Sequence, residues 1–274
     1  MELRVSSQDR ALIAKLARAS KAGLISIPVA AKAVAGTQRD TAVRLGKLMR
    51  RGWLARVRRG LYLVLPLAAE PGQQSTVEDP WVLAREIFSP CYIGGWSAAE
   101  HWDLTEQLFR STLVATAAPV RSTKMEVLGN EFRIFRVPRP RLSVGIISVW
   151  RSTERVAVSG VERTLVDCLR TPALAGGIRH VAQMLRAYGD RPGHDFAKLV
   201  AVAADAASGA AWKRLGYLAE LLWPDEKALL VKARAHVTTG NAVLDPSVRR
   251  KGSLVTRWRL FANVDVAEFV RESA

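Results

Sequence analysis

The chain has 274 residues, 49% hydrophobic and 24% charged, values that exclude general disorder and leave room for two domains around a substantial core. Its 41 Lys and Arg against 25 Asp and Glu give a net charge of +16 and a pI near 10.7. That excess predicts a polyanionic partner, nucleic acid first and an anionic membrane surface second.

The opening "MELRVSSQDR" carries charges where a signal peptide needs an apolar stretch, and no run approaches the roughly 20 apolar residues of a membrane span. The expectation is a cytoplasmic protein without a membrane partner. Cys91 and Cys168 stand far apart, with no CxxC pair or clustered histidine, and read as small core residues. No metal or cofactor is called for.

The charge is uneven. Residues 1–70 hold 14 basic and 4 acidic residues, net +10, whereas the remainder holds 27 and 21, net +6. The first quarter therefore reads as a binding module, 1–70, separated by the Pro-, Gly- and Ser-containing "LPLAAEPGQQSTVEDP" (65–80) from a larger domain, 78–274.

In chain order, "SSQDRALIAKLARA" predicts a first helix capped by Ser6 or Ser7, with Leu12, Ile13 and Leu16 on one side and Gly23 as its end. "LISI" is a short extended piece, and Pro28 suits the first turn of a second helix running to about Val34. Gly36 closes it, and Thr37 with Asp40 starts a third helix, which is helix-turn-helix order. At about 100° per residue, Thr41, Ala42, Leu45, Leu48 and Met49 fall on one arc. Arg39, Val43, Arg44, Lys47, Arg50 and Arg51 fall opposite. A solvated face would mix charge signs, and this one has only Asp40, explained by the helix start.

After Gly52, "WLARV" and "GLYLVL" flank an "RRG" turn and read as a hairpin with Arg56, Arg58 and Arg59 at or near its tip. Helix plus hairpin is a winged helix-turn-helix. In that docking geometry Gln38 and Arg39 face base edges, Arg suiting guanine and Gln adenine. Val43 is placed either against a thymine methyl or at the edge of the core, and Arg44 against base or phosphate. Lys47, Arg50, Arg51 and the wing arginines are assigned to phosphate, where they set affinity and salt dependence.

The larger part begins with a helix from about Pro80 to Phe88, an apolar "CYIGG" and a helix containing Trp96, Ala99 and Trp102. "STLVATAA", "MEVLG", "EFRIFRV" and "VGIISVW" read as strands, "SGVERTLVDCLR" opens a helix, Ala-rich helices follow to about Leu222, and "SLVTRWRLFANV" closes as another strand or extended segment. Blocks of helices and strands, without βαβ alternation, predict an α+β class. No catalytic motif is found: His194 beside Asp195 reads as a surface loop, and Glu100, His101 and Asp103 lack metal-ligand spacing. Arg163 and Trp258 stand out, the first as a partner for Glu162 or Asp167, the second as core.

The segments "GLISIPVAAKAVAGTQRDTAVRLGKLMRRGWLARVRRGLYLV", "IGGWSAAEHWDL", "SGVERTLVDCL", "KRLGYLAELL" and "LDPSVRRKGSLVTRWRLFANV", in this order, resemble the AbiEi-type antitoxins of bacterial type IV toxin-antitoxin, or abortive phage infection, systems. The resemblance spans nearly the whole chain. It implies a transcriptional regulator whose N-terminal winged helix-turn-helix, with Thr37 at the head of its recognition helix, binds inverted repeats in double-stranded DNA at its own promoter. It also implies a C-terminal domain needed to neutralise a nucleotidyltransferase-like toxin, and no catalytic residues. Arg163, Arg214 and Trp258 become antitoxin candidates because they sit in resembling segments. Two other classes stay open: a DNA-tethered metal-dependent nuclease using Glu126 or Glu131, and an RNA- or ribosome-binding module.

Overall fold

The computed structural model describes residues 6–65, 79–151, 153–249 and 251–267. Helix α1, Ser7–Ala19, starts where the Ser6 side chain accepts the Asp9 N–H at 3.1 Å. It buries Ile13 and Leu16. The helix ends at Ala19, short of Gly23, because Gly23, at φ +77°, is used to turn the chain into strand β1, Leu24–Ser26. Helix α2, Ile27–Ala33, carries Pro28 in its first turn, and α3 spans Gln38–Arg50. Strands β2, Leu54–Arg58, and β3, Leu61–Val64, form the hairpin, and β1 pairs with β3 to complete an antiparallel sheet in the order β1-β3-β2. The winged helix-turn-helix order is as expected.

That small sheet has two dry faces. Ile25, Leu54, Tyr62 and Val64 point into the helix core of Ile13, Leu16, Leu45 and Leu48. Leu24, Leu61, Leu63 and Leu65 point the other way, onto Trp81, Val82 and Phe88 of α4, Pro80–Phe88. Every residue of β3 is therefore buried, which accounts for the unbroken apolar run "LYLVL" in place of an alternating strand. The expected linker falls mostly on 66–78, outside the described residues.

The larger part is built on a six-stranded mixed sheet: β4 Cys91–Ile93, β5 Ser111–Thr116, β6 Lys124–Val127, β7 Asn130–Arg136, β8 Ile146–Arg151 and β9 Glu154–Ser159, in the order β6-β7-β5-β4-β9-β8. The β5/β7 and β4/β9 pairs are parallel and the others antiparallel. One face packs on α4 through Ile93, Val114, Phe132, Ile134, Val156 and Val158. Tyr92, Ala115 and Val137 on the other face are packed by Leu142 of the 3₁₀ turn Arg139–Leu142. Strand β9 is an addition to the sequence expectation. Its Val156 and Val158 alternate correctly, but charged Glu154 and Arg155 precede them and a helix start follows at once.

Helices α5, Gly95–His101, α6, Val161–Arg170, α7, Ile178–Asp190, α8, Phe196–Ala206, α9, Gly209–Leu222, and α10, Lys227–Ala235, enclose the largest core. A three-stranded sheet of β10 Ala242–Val243, β11 Ser253–Val255 and β12 Leu260–Ala262 closes it, where the sequence indicated a single strand or extended segment. The architecture is α+β. Cys168 is fully buried as expected, while Cys91 is only half-buried.

Candidate nucleic-acid interface and the buried arginines

Helix α3 is held at its start by one side chain used twice: the Thr37 hydroxyl accepts the Asp40 N–H at 3.1 Å and donates to the Asp40 carboxylate at 2.7 Å. Asp40 is thereby committed to the cap, where its charge also suits the helix dipole. Along the helix, Thr41, Leu45 and Leu48 are buried and Ala42 and Met49 half-buried. Gln38, Arg39, Val43, Arg44, Lys47 and Arg50 are exposed on the opposite side. Val43 is 55% exposed, which removes the alternative that it caps the core edge.

Arg51 differs from its neighbours. Its guanidinium meets the Asp9 carboxylate of α1, so it ties the first helix to the third. Between those helices lies an open cleft of about 630 Å³ bordered by Lys15, Arg44, Lys47 and Arg51, with Asp9 its one acid.

The wing arginines also separate by position. Arg56 lies within the ladder opposite Tyr62, well back from the turn, whereas Arg58, past a register shift, pairs opposite Leu61. Arg59 occupies the turn beside Gly60, whose φ of +83° suits glycine. Arg58 reaches across to α4, donating from Nη2 to the Glu86 carbonyl at 3.2 Å.

The resemblance candidates are all enclosed. Arg163 is 0% exposed. It donates to the carbonyls of Arg141 at 2.8 Å and Val144 at 2.6 Å and to the Tyr92 hydroxyl at 2.9 Å. Its Nε lies 3.1 Å from Asp167 Oδ2, close enough for an ion pair but without the alignment of a hydrogen bond. Tyr92 donates to the same oxygen at 2.6 Å. Burial pushes the Tyr92 hydroxyl well above its ordinary range and the Asp167 carboxylate adds to the shift, so Tyr92 is a donor throughout the accessible pH range. Of the two acids anticipated for Arg163, Asp167 is the partner; Glu162 instead pairs with Lys198 at 3.0 Å.

Arg214 binds only carbonyls: Leu244 at 2.9 Å, Leu169 at 2.8 Å and Val243 at 2.8 Å, with longer bonds to Arg170 and Val243. It staples the end of α6 to β10. Trp258 is also 0% exposed, and its indole N–H donates to Glu220. These three side chains hold the domain together from inside and present no surface to a toxin; Tyr92, the Leu244 carbonyl and Glu220, which enclose them, are distant in sequence.

Glu126 and Glu131 face each other across the β6/β7 ladder, both exposed. Among the described residues no group of three or more His, Cys, Asp or Glu is arranged to hold a metal ion. His194 is exposed and Asp195 caps α8, accepting the Lys198 N–H at 2.9 Å, in keeping with a surface loop. Among the described residues no helix is long and apolar enough to cross a membrane.

No family model matches the chain, and no curated protein matches it. Its fold is similar to that in the crystal structure of the RV2827C protein from Mycobacterium tuberculosis, with a TM-score of 0.60 and 18% identity over 94% of this chain and 92% of that one. At that identity the likeness establishes a shared overall fold, and nothing about activity.

Proposed function

We propose that the chain is a cytoplasmic, sequence-specific DNA-binding regulator that represses its own promoter and doubles as an antitoxin against a nucleotidyltransferase-like toxin. The observation that carries the DNA-binding part is the exposed face of α3. It bears Arg39, Arg44, Lys47 and Arg50, and its only acid is committed to the helix cap. Helix α3 enters the major groove with Gln38 and Arg39 leading, Arg44 and Val43 following, and Lys47 and Arg50 on the backbone. Arg56 and Arg59 of the wing take phosphates alongside, with Arg58 and Arg51 adding charge from positions already tied to the scaffold. This is binding without catalysis, and no cofactor enters it. The antitoxin part rests on the AbiEi-type resemblance; toxin neutralisation belongs to the surface of the larger domain, since its conspicuous arginines are internal.

The test is fluorescence-anisotropy titration of the full chain against its own upstream duplex, a shuffled duplex and a structured RNA, over a salt series. Binding to the upstream duplex at least a hundredfold tighter than to the shuffled one, persisting near physiological salt, is expected. Equal affinities that collapse together as salt rises, or a preference for the RNA, would overturn the regulator.

A further inference from the structure

The C-terminal sheet is apolar on both faces. On its inner face Ala242, Val255, Leu260 and Ala262 pack into the large helical core. On its outer face the register sets Val243 and Leu254 on either side of Phe261. None of these three belongs to any core cluster among the described residues; Val243 is 38% and Leu254 45% exposed, and Phe261 is half-buried. A sheet wetted on one side alternates apolar inward with polar outward. An outward apolar residue on each of three strands, side by side, is the pattern of a face that something covers.

The platform is rigid. The Asn263 amide donates to the carbonyls of Asp245 at 2.8 Å and Val248 at 2.9 Å, tying the ends of β10 and β12 together. A Cβ at Gly252 would lie 2.2 Å from the Ala262 backbone, so β11 lies tightly against β12. Residues 241–263 contain five basic residues and a single acid, Asp245. That acid is buried, accepting from the Ile178 N–H at 2.8 Å and from Ser247. Arg249, Lys251 and Arg259 of this segment are exposed, Arg259 donating to the Thr239 carbonyl, so the segment is cationic up to Asp265, the exposed acid that follows it.

These features select the occupant. A second copy would bring the same cationic segment and another +16 of net charge, and like charges across a self-complementary contact repel. A lipid surface takes an amphipathic helix, whereas this stripe lies flat across a sheet. We propose that the Val243–Phe261–Leu254 stripe is a docking surface for an acidic segment of a partner protein, one that brings apolar side chains flanked by carboxylates. The proposal does not depend on the DNA-binding reading.

The full chain is titrated with a labelled synthetic peptide alternating Leu and Glu, and with its Leu/Lys counterpart, comparing the wild type with Leu254→Ser and Val243→Ser. Both positions are exposed, and thermal melts verify that the variants fold. Micromolar binding of the Glu peptide, weakened at least fivefold by either variant, and no binding of the Lys peptide, is the expected result. Absence of binding, equal binding of both peptides, or an affinity unmoved by Leu254→Ser overturns the proposal. So does a dimer in sedimentation that Leu254→Ser dissociates, which makes the occupant a second copy. Binding to phosphatidylserine vesicles abolished by the same variant likewise overturns it, in favour of a membrane.

Discussion

Gly216 of α9 and Trp258 share one space: a Cβ at Gly216 would lie 2.0 Å from the indole Cζ3. The glycine in mid-helix exists for the ring. Gly216→Ala should therefore destabilise the protein although alanine is the better helix former, because overpacking costs roughly 1–3 kcal/mol against a propensity gain of about 1 kcal/mol. Urea denaturation measures the difference. A variant as stable as the wild type would mean that the indole has room to move.

Arg163 and Asp167 are a buried ion pair in which the cation also holds two carbonyls and a tyrosine. Arg163→Met leaves the Asp167 carboxyl enclosed with Arg170, 3.7 Å away, as its remaining cation, and breaking a buried pair from one side costs about 3–5 kcal/mol. Arg163→Met with Asp167→Leu should recover much of that loss, since no buried carboxyl is then left without its principal partner. Equal melting temperatures for the single and double variants would assign the cost to packing instead.

His180 places Nδ1 2.5 Å from the Ala175 carbonyl and Nε2 2.6 Å from the Thr105 hydroxyl, and it stacks on Phe109 at 5.9 Å. The neutral tautomer satisfies both contacts, Nδ1–H donating and Nε2 accepting. Burial lowers its pKa, opposed by the Ala175 carbonyl. With the folded pKa below the ordinary value of about 6.5, its stabilisation is complete above that pH and is lost as pH falls through the depressed value. Thermal melts from pH 7.5 to 5 should show a steeper acid loss for the wild type than for His180→Gln. Parallel curves would remove His180 as the cause.

Much of the helix-turn-helix was legible because its signals are local. The Thr37–Asp40 start, the Pro28 turn and the period of Leu45 and Leu48 each need only a few residues of context. What escaped was non-local. Nothing near Arg163 in sequence announces Tyr92 or the Val144 carbonyl, and nothing near Arg51 announces Asp9. The Arg163–Asp167 pair, four residues apart, was legible for that reason, whereas the carbonyls and the tyrosine that complete its enclosure were not. Strand β9 is a different omission, since its Val156 and Val158 alternate visibly in the sequence.

Arg39 and Arg59 should separate specificity from affinity. Arg39→Ala, at the leading end of α3, is expected to lose roughly 1–3 kcal/mol on the upstream duplex and little on shuffled DNA. Arg59→Ala should weaken both duplexes alike and reduce the slope of log K against log salt by about 0.9. Identical behaviour of the two variants would remove the distinction between groove and backbone contacts. Arg58→Ala should have a smaller effect than Arg59→Ala, because Arg58 is already bonded to Glu86.

The shared sheet makes the last prediction. Leu24, Leu61, Leu63 and Leu65 are covered by Trp81, Val82 and Phe88 of α4, so residues 1–70 expressed alone would expose four adjoining apolar side chains. Such a patch promotes association, and the fragment should sediment as a concentration-dependent oligomer. Leu61→Glu with Leu63→Glu should return the fragment to a monomer, since those side chains point away from the helix core. In the full chain the same pair should be severely destabilising, because it places two carboxylates against α4 without a partner. A monomeric wild-type fragment, or a full chain indifferent to the two substitutions, would mean that the wing folds independently of the domain behind it. The expected result makes that sheet a structural joint between the helix-turn-helix and the larger domain.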